Sequence, residues 1–372
     1  MKLGITKREL VKALDYCSKV ATVRAGLPIL ECVYVETDTD CVKFSATNLE
    51  QTISYKISAL GTGGEKFAVS CRRLLDYVKR LPNVNLDLSA SDNKLTVKSP
   101  MSSAVFACYD ADDYPKIPSI GGSKDVKSGK LKLSDIQRLA EVCSFCSNDT
   151  TRPTLTGVHV KDGKMLATDG YRLAMSDIDT EFSGIIPGDF MRTLQSFTAD
   201  ADIHWTDNML EISSGNLQVK TRLIENPVGY NLFSIMDKVL KSKDKTSNIT
   251  LELDELVSAI TTAMSVDNKE NRIKITANAD KSITVSSDTS VGTIQVVVVA
   301  NVADELVDKV SYWNGKLLLS VLAPCKSDDT TANADTTHSV TLKLAAKNKL
   351  PRKLPPMFVD DNGYSLLVMP MQ

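Results

Sequence analysis

Three short arrangements in this 372-residue chain have residue types that chemistry uses, and each lacks a necessary part. Cys143-Ser144-Phe145-Cys146 has the spacing of a redox or zinc pair. No second pair lies near it, a helix is expected to run through it, and the histidines number three, His159, His204 and His338. Gly61-Thr62-Gly63-Gly64-Glu65-Lys66 has the outline of a phosphate-cradling loop, but Phe67 stands where the magnesium-binding hydroxyl is needed, and a hairpin is the simpler assignment. Asp110, Asp112 and Asp113 gather carboxylates without the glycine and closing glutamate of a calcium loop. No nucleophile, base and orienting acid come together, so neither catalysis nor a metal or other cofactor is expected.

The residues that could bind rather than react are cations at helical spacing. After Thr6, Leu10, Val11, Leu14 and Cys17 form one side of a helix, and Arg8, Lys12, Asp15 and Lys19 form the other. After Ser70, Leu74, Leu75, Val78 and Leu81 turn inward, leaving Arg72, Arg73, Lys79 and Arg80 outside. Any solvated helix can carry such a face. Here, however, two equivalent helices collect the cations of a chain with net charge −2, which points to a polyanion. The other expected helices supply only Arg138, Arg192 and Lys316, and the one from Asp254 to Met264 supplies none. An aromatic content of 6% argues against a single-strand binder built on stacking platforms.

The elements that must hold these cations are repeated. Pro28-x-Leu30-x-x-Val33-x-Val35 followed by Ala46-Thr47-Asn48 recurs as Pro153-x-Leu155-x-x-Val158-x-Val160 followed by Ala167-Thr168-Asp169. Helix starts at Thr6, Ser134 and Asp254 are spaced at about the size of one small domain, far beyond a solenoid repeat. A second start in each copy falls at Ser70, Pro187 and Asn314, and Thr6 with Glu9 and Ser134 with Gln137 have capping-box spacing. The expected fold is α+β, with three tandem domains at 1–122, 123–245 and 246–372. Each is a pseudo-twofold pair of units built from one helix and several antiparallel strands. Tyr114 to Ser123 and Lys238 to Asn248 are the expected linkers.

Composition is ordinary globular, with 42% hydrophobic and 24% charged residues. Eight scattered cysteines make no disulfide framework and are expected to act as small core residues. Met1 to Glu9 contains no apolar signal region, and Gln295 and Asn301 interrupt the apolar run from Ile294 to Ala303. A soluble cytoplasmic protein with no membrane partner is expected.

Taken in order, several segments resemble the bacterial sliding clamp, the beta subunit of DNA polymerase III. They are Leu27-Pro28-Ile29-Leu30 with Ala46-Thr47-Asn48-Leu49-Glu50; Arg152-Pro153-Thr154-Leu155-Thr156-Gly157 with Ala167-Thr168-Asp169-Gly170-Tyr171-Arg172-Leu173-Ala174; Tyr114-Pro115; and Val368-Met369-Pro370-Met371. The resemblance spans the chain and is weakest from about Tyr230 to Asp360; its specificity lies in order and spacing. It implies a head-to-tail homodimer closing into a ring around duplex DNA. Such a protein would be a nucleoid-associated, non-enzymatic processivity factor. Arg8, Lys12, Lys19, Arg24, Arg72, Arg73, Lys79, Arg80, Arg138 and Arg192 would face the DNA, and Phe106 and Met264 would lie at the dimer seam.

The resemblance also implies a groove for short peptides from the replicative polymerase, the clamp loader and repair proteins. It would comprise Leu155, Thr168, Gly170, Tyr171, Arg172, Leu173, Asn314, Leu367, Val368, Met369, Pro370 and Met371. Methionines suit a wall that accepts several ligands. The same residues could instead finish a core: Val368 to Met371 as an edge strand, Gly170 as a turn. Tyr171 stands where the family has histidine, and Lys347 to Pro356 reads as a basic insertion. The alternative function is a clamp-like peptide-binding or regulatory protein that does not close on DNA, which the thin cation supply of the last domain would suit.

Overall fold

Local sequence sets the first helix as expected. The computed structural model describes residues 2–22, 27–62, 64–120, 125–241, 243, 246–265, 269–325, 339–345, 357–361 and 364–371. Thr6 Oγ1 accepts a hydrogen bond from Glu9 N at 3.3 Å, and α1 (Lys7–Ser18) buries Leu10, Ala13, Leu14 and Cys17. α2 (Cys71–Arg80) buries Cys71, Leu74, Leu75 and Val78. α3 (Leu133–Cys143) departs from expectation at both ends. Ser134 lies inside its first turn rather than at the cap, and the Asp200 carboxylate accepts from Leu133 N at 2.8 Å in its place. The helix ends at Cys143, so Ser144 to Cys146 lies in the turn beyond it, not within the helix.

α4 (Met191–Leu194) is one turn continuing the 3-10 segment Gly188–Phe190 that Pro187 precedes. α5 (Leu232–Leu240) occupies a stretch expected to be irregular, capped by Asn231 Oδ1, which accepts from Ser234 N at 3.3 Å. The end of α5 and the strand Thr246–Glu252 take up most of the expected Lys238–Asn248 linker. α6 (Leu253–Ala263) and α7 (Gly315–Leu322) follow, and Asn314 Oδ1 caps α7 by accepting from Leu317 N at 3.1 Å. Among the described pairs, the strands flanking Gly61 to Lys66 do not pair with each other as the expected hairpin would: Leu60–Thr62 pairs with Lys2–Thr6, and Lys66–Ser70 pairs with Cys32–Thr37.

The chain forms two compact units, Met1–Ala140 with Asp179–Glu225 and Glu141–Ile178 with Asn226–Gln372, so each unit contains part of the expected central domain. Strand pairing is the cause. In the first unit Gln51–Ser58 pairs antiparallel with Leu217–Arg222, Gln51 opposite Thr221, and joins two repeats into one sheet of thirteen described strands. In the second unit Arg172–Asp177 pairs with Tyr364–Val368, Arg172 opposite Val368. Both junctions join the last strand of a repeat's first half to the last strand of another repeat's second half.

Two strands occupy the same topological places without such a junction among the described pairs. Ser102–Asp110 pairs along its first part only with Lys94–Ser99, and Gly292–Val302 pairs along its first part only with Ser282–Thr289. Their side chains differ accordingly from those of the joined strands. Gln51 to Tyr55 are all buried, whereas Val105 is 60% exposed, Val297 65% and Val299 75%. Phe106 is half-buried with its ring edge-on to Tyr77 at 5.7 Å.

The first linker is tied into its unit by buried polar groups. Tyr114 stacks on Tyr34 at 5.1 Å, its hydroxyl donates to Cys32 O at 3.3 Å and accepts from Thr47 N at 3.1 Å. Burial pushes its phenol well above the usual range, so it serves as a neutral hydrogen-bonding group. Gly121, Gly122 and Ser123 of that linker, and the basic Lys347 to Pro356 loop, lie outside the described residues. Replacing Tyr114 by Phe leaves Thr47 N unpaired in the interior and should lower unfolding free energy by about 1 to 3 kcal/mol, read from denaturant midpoints at unchanged slope.

Candidate functional site

One turn, made twice, organises the candidate site. In the second unit Thr168 Oγ1 donates to Arg172 O at 2.7 Å and accepts from Gly170 N at 3.1 Å, while Asp169 Oδ1 accepts from Tyr171 N and Arg172 N, each at 2.9 Å. In the first unit Thr47 and Asn48 make the same bonds to Gln51 O, Leu49 N, Glu50 N and Gln51 N. The third residue needs positive φ in both copies: +93° at Gly170, and 76° at Leu49, where a side chain raises the cost by about 1 to 2 kcal/mol.

The two copies then diverge in the side chains that follow. In the first, Thr52 lies opposite Lys220, which reaches Glu211 at 3.3 Å and Pro118 O at 3.1 Å. In the second, Leu173 lies opposite Leu367. These two leucines, with Leu166, Leu232 and Phe358, form a buried apolar cluster against which Leu155, Tyr230, Phe233 and Met236 are only partly covered. The first copy is therefore closed by polar bonds, and the second leaves an apolar floor with a half-covered rim.

The twelve expected groove residues separate by burial. Thr168, Leu173, Leu367 and Val368 are buried and build the floor and its strand junction. Leu155, Asn314, Pro370 and Met371 are half-exposed, Gly170 is exposed, Tyr171 is 64% exposed, and Met369 is partly open. Met369 N donates to Tyr171 O at 2.7 Å and Met371 N to Tyr312 O at 2.9 Å, so the tail is held along the rim by its backbone. Arg172 is a strut rather than a free charge. Its guanidinium donates to Asp169 Oδ2 at 2.9 Å, Ser320 Oγ at 2.7 Å and Ser144 O at 2.7 Å, and lies 4.9 Å from the Phe145 ring centroid.

Sequence reasoning missed the α5 wall. Leu232, Phe233, Met236 and Val239 recur at helical spacing behind a capping Asn231, a signal obscured by the neighbouring proline, glycine and lysines. It also missed His159. This ring is buried, tilted on Tyr230 at 5.9 Å, and its Nε2 donates to Thr154 O at 2.7 Å.

The cationic surface lies on the first unit. Arg8, Lys12, Arg72, Arg73 and Arg80 are exposed on α1 and α2, Arg192 is exposed on α4, and Arg138 is half-buried on α3. Lys79 pairs with Asp15 at 2.7 Å and Lys7 Nζ caps the end of α2 by donating to Lys79 O at 3.0 Å and to Leu81 O, so the two helices present adjoining faces. Lys19 differs from expectation as a free cation: it donates to Ser196 Oγ at 2.7 Å, and burial lowers its pKa. Lys12 sits over the Tyr55 ring at 5.3 Å. Arg24 lies outside the described residues. Met264 is half-buried, its side chain filling the space beside Gly315 at the start of α7.

Neither the buried thiols of the first unit nor the aspartate cluster is arranged for catalysis. Burial pushes the thiols of Cys32 and Cys108 up to about 11 and that of Cys71 up to about 12, which disfavours the nucleophilic thiolate. Asp110 Oδ1 caps a short 3-10 turn by accepting from Asp112 N at 3.0 Å. Among the described residues no three metal-binding side chains gather, and no helix is long and apolar enough to cross a membrane.

Burial depresses the His159 pKa by opposing the charged imidazolium, and the Thr154 contact offsets only part of this. The unfolded chain then binds a proton below about pH 6.5 that the folded chain resists. His159 should therefore contribute to stability above that pH and cease to do so as pH falls through the folded pKa. Thermal melts from pH 7.5 to 5 should show a loss that His159→Gln reduces; an identical loss in the variant would contradict this.

A family model described as DNA polymerase III beta subunit, N-terminal domain, matches residues 1–118. The beta sliding clamp of Bacillus subtilis is 26% identical over 333 residues, covering 82% of this chain and 85% of that protein. The crystal structure of the B. subtilis DNA polymerase sliding clamp matches with a TM-score of 0.84 at 20% identity, covering 100% of this chain and 99% of that one. A Pseudomonas aeruginosa sliding clamp bound to griselimycin matches with a TM-score of 0.82 at 19% identity, over 100% of this chain and 99% of that one. The doubled turn and the repeat-joining strands thus come with the fold of the bacterial sliding clamps, a match of residues 1–118 to the DNA polymerase III beta subunit N-terminal domain, and similarity to beta sliding clamps along most of the sequence.

Proposed function

We propose that this chain is a DNA polymerase processivity factor, a ring of two copies that encircles duplex DNA and tethers replication and repair proteins. The observation that carries the reading is the rule of strand pairing. Each intrachain junction joins the last strand of a first half to the last strand of a second half. Applied to the two strands without such partners, it joins Gly292–Val302 of one copy to Ser102–Asp110 of the next. Two such seams close a ring head to tail. Phe106 lies on one of these strands beside the exposed Val105, and Met264 supports the other side from the α6–α7 packing.

The cations suit a sliding contact. A bidentate base contact would create a well of about 1 to 3 kcal/mol and pin the ring to one sequence. Lysine and arginine directed at phosphates carry no sequence information. Their affinity, of order 10⁻⁴ to 10⁻⁶ M, is enough when topology prevents escape. We assign this contact to Arg8, Lys12, Lys19, Arg72, Arg73, Lys79, Arg80, Arg138 and Arg192, and by its place in the sequence to Arg24. The three domains are placed at 1–122, 123–245 and 246–372, and the protein acts in the cytoplasm at the nucleoid. It performs no reaction of its own.

The groove holds short peptides of the polymerase, clamp loader and repair proteins. The P. aeruginosa relative's complex with griselimycin supports a ligand site on this fold. Each buried leucine or phenylalanine of a ligand contributes about 1.5 to 3 kcal/mol, so a single peptide binds weakly enough to exchange.

The absence of cations from α6, which opens with Asp254 and Glu255, favours the alternative of a clamp relative that binds peptides without closing on DNA. Two measurements separate the readings. Light scattering should give about twice 40.6 kDa, and Val105→Asp combined with Val297→Asp, both exposed in the single chain, should reduce it to one copy without loss of helix signal. Loaded protein should remain on circular DNA and be lost when the circle is cut. Equal retention before and after cutting would overturn the ring.

A further inference from the structure

We propose that Glu141 and Tyr364, neither of them among the expected groove residues, are positioning residues of the peptide groove: together with Arg172 they fix its floor strands to the end of α3. This deepens the groove reading and rests on it. Three strands carry the floor. Leu173 lies opposite Leu367, and Leu367 lies opposite Phe358 on the neighbouring strand Met357–Asp361, so the three form one row on one face of the sheet. Neighbours along a strand project from the opposite face. Arg172, Ala174 and Ser176 therefore share the back face with Val368, Leu366 and Tyr364, their directly opposed partners. α7 packs against both of these strands, and Ala174, Leu366 and Val368 are buried.

This back face is apolar in its middle and polar at its two ends. At one end the Arg172 guanidinium, opposite Val368, donates to Ser144 O just past α3 and to Ser320 Oγ on α7, each at 2.7 Å. At the other end Tyr364, opposite Ser176, is buried, and its hydroxyl donates to Glu141 Oε2 in the last turn of α3. Glu141 and Ser144 are close neighbours in sequence, so one helix end takes a bond from each end of the strand junction. The apolar burial between them is non-directional and lets packed side chains shift against one another, whereas a hydrogen bond demands both a distance and an angle. The two ties thus set where the strands lie along α3, and the floor row on their other face moves with them. The Arg172 tie holds the rim end, beside Tyr171. The Tyr364 tie holds the far end, where Met175 lies opposite both Ser365 and Leu166 and packs against the floor cluster. An apolar ligand side chain is gripped by close contact, and a gap of about 0.5 to 1 Å forfeits roughly a quarter to a half of that attraction.

The test uses the full-length protein and a labelled peptide with two leucines and a phenylalanine flanked by serines, its affinity read by fluorescence anisotropy. Tyr364→Phe removes one hydroxyl and Glu141→Ala its acceptor; each should weaken binding about fivefold, and the two together no more than either alone. Glu141→Gln keeps an accepting oxygen and should bind as the unaltered protein does. Tyr114→Phe, which lowers stability in the first unit, should leave peptide affinity unchanged and so separates loss of stability from loss of position. Hydrogen exchange in Tyr364→Phe should quicken in Arg172–Asp177 and Tyr364–Val368 and not in Gln51–Ser58. Unaltered affinity or exchange in Tyr364→Phe, additive losses in the double variant, a loss in Glu141→Gln equal to that in Glu141→Ala, or an equal loss in Tyr114→Phe would overturn the proposal and leave the groove standing. Failure of the unaltered protein to bind the peptide would remove the groove reading and this inference with it.

Discussion

A strand at the edge of a sheet must have its backbone groups paired, covered or left to water, and this constraint organises the protein. The repeated half-module ends each time in a strand whose outer edge is open. Inside the chain that edge is satisfied twice, at Gln51–Thr221 and at Arg172–Val368, and Gln51 to Tyr55 and Leu366 to Val368 are buried at those junctions. The strands carrying Val105 and Val297 have the same origin and no such partner within the described chain. The dimer proposed for this chain is the repeat's own pairing rule carried across a chain boundary, and a closed ring would be the arrangement with no last strand left over.

The same duplication sets two like turns in different surroundings, one polar and one proposed as the groove. The hydrogen bonds of the Thr47 and Thr168 turns correspond atom for atom, so the backbone alone does not decide their use. The residues after them do. In the first copy Lys220 is paired with Glu211 and bonded to Pro118 O, a buried ion pair that would be costly to break. Leu173 and Leu367 offer the second copy no polar bond to make; their cluster is buried, and the apolar side chains packed against it are only partly covered. Arg172 ties the turn to its surroundings by contacts to Asp169, Ser144 and Ser320.

Elements specified by neighbours in sequence were legible in it, and those specified by distant partners were not. The Thr6 cap and the buried faces of α1 and α2 follow from residues three or four apart, and the structure keeps them. Ser134 has the right spacing for a cap, yet Asp200 reaches the helix end from far along the chain. α5 was hidden because Asn226, Pro227 and Gly229 signal a turn and the lysines after it signal a linker, while its helical periodicity becomes decisive only against the apolar cluster. Tandem domains are visible as repeats, whereas the division into two compact units depends on which final strands meet, a long-range choice. Motif order gave the expected site residues but not their burial: Val368 and Leu367 are buried, Tyr171 is exposed, and Lys19 is bonded to Ser196.

The pairing of the two open strands across copies is the claim on which ring, sliding and tethering depend. Hydrogen exchange followed by mass spectrometry reads it directly through the amides of Ser102–Asp110 and Gly292–Val302. At high protein concentration both segments should be protected together, and on dilution to single chains both should exchange rapidly while Gln51–Ser58 stays protected. Exchange in these two segments that is unaffected by concentration, in protein measured to be dimeric, would contradict the account.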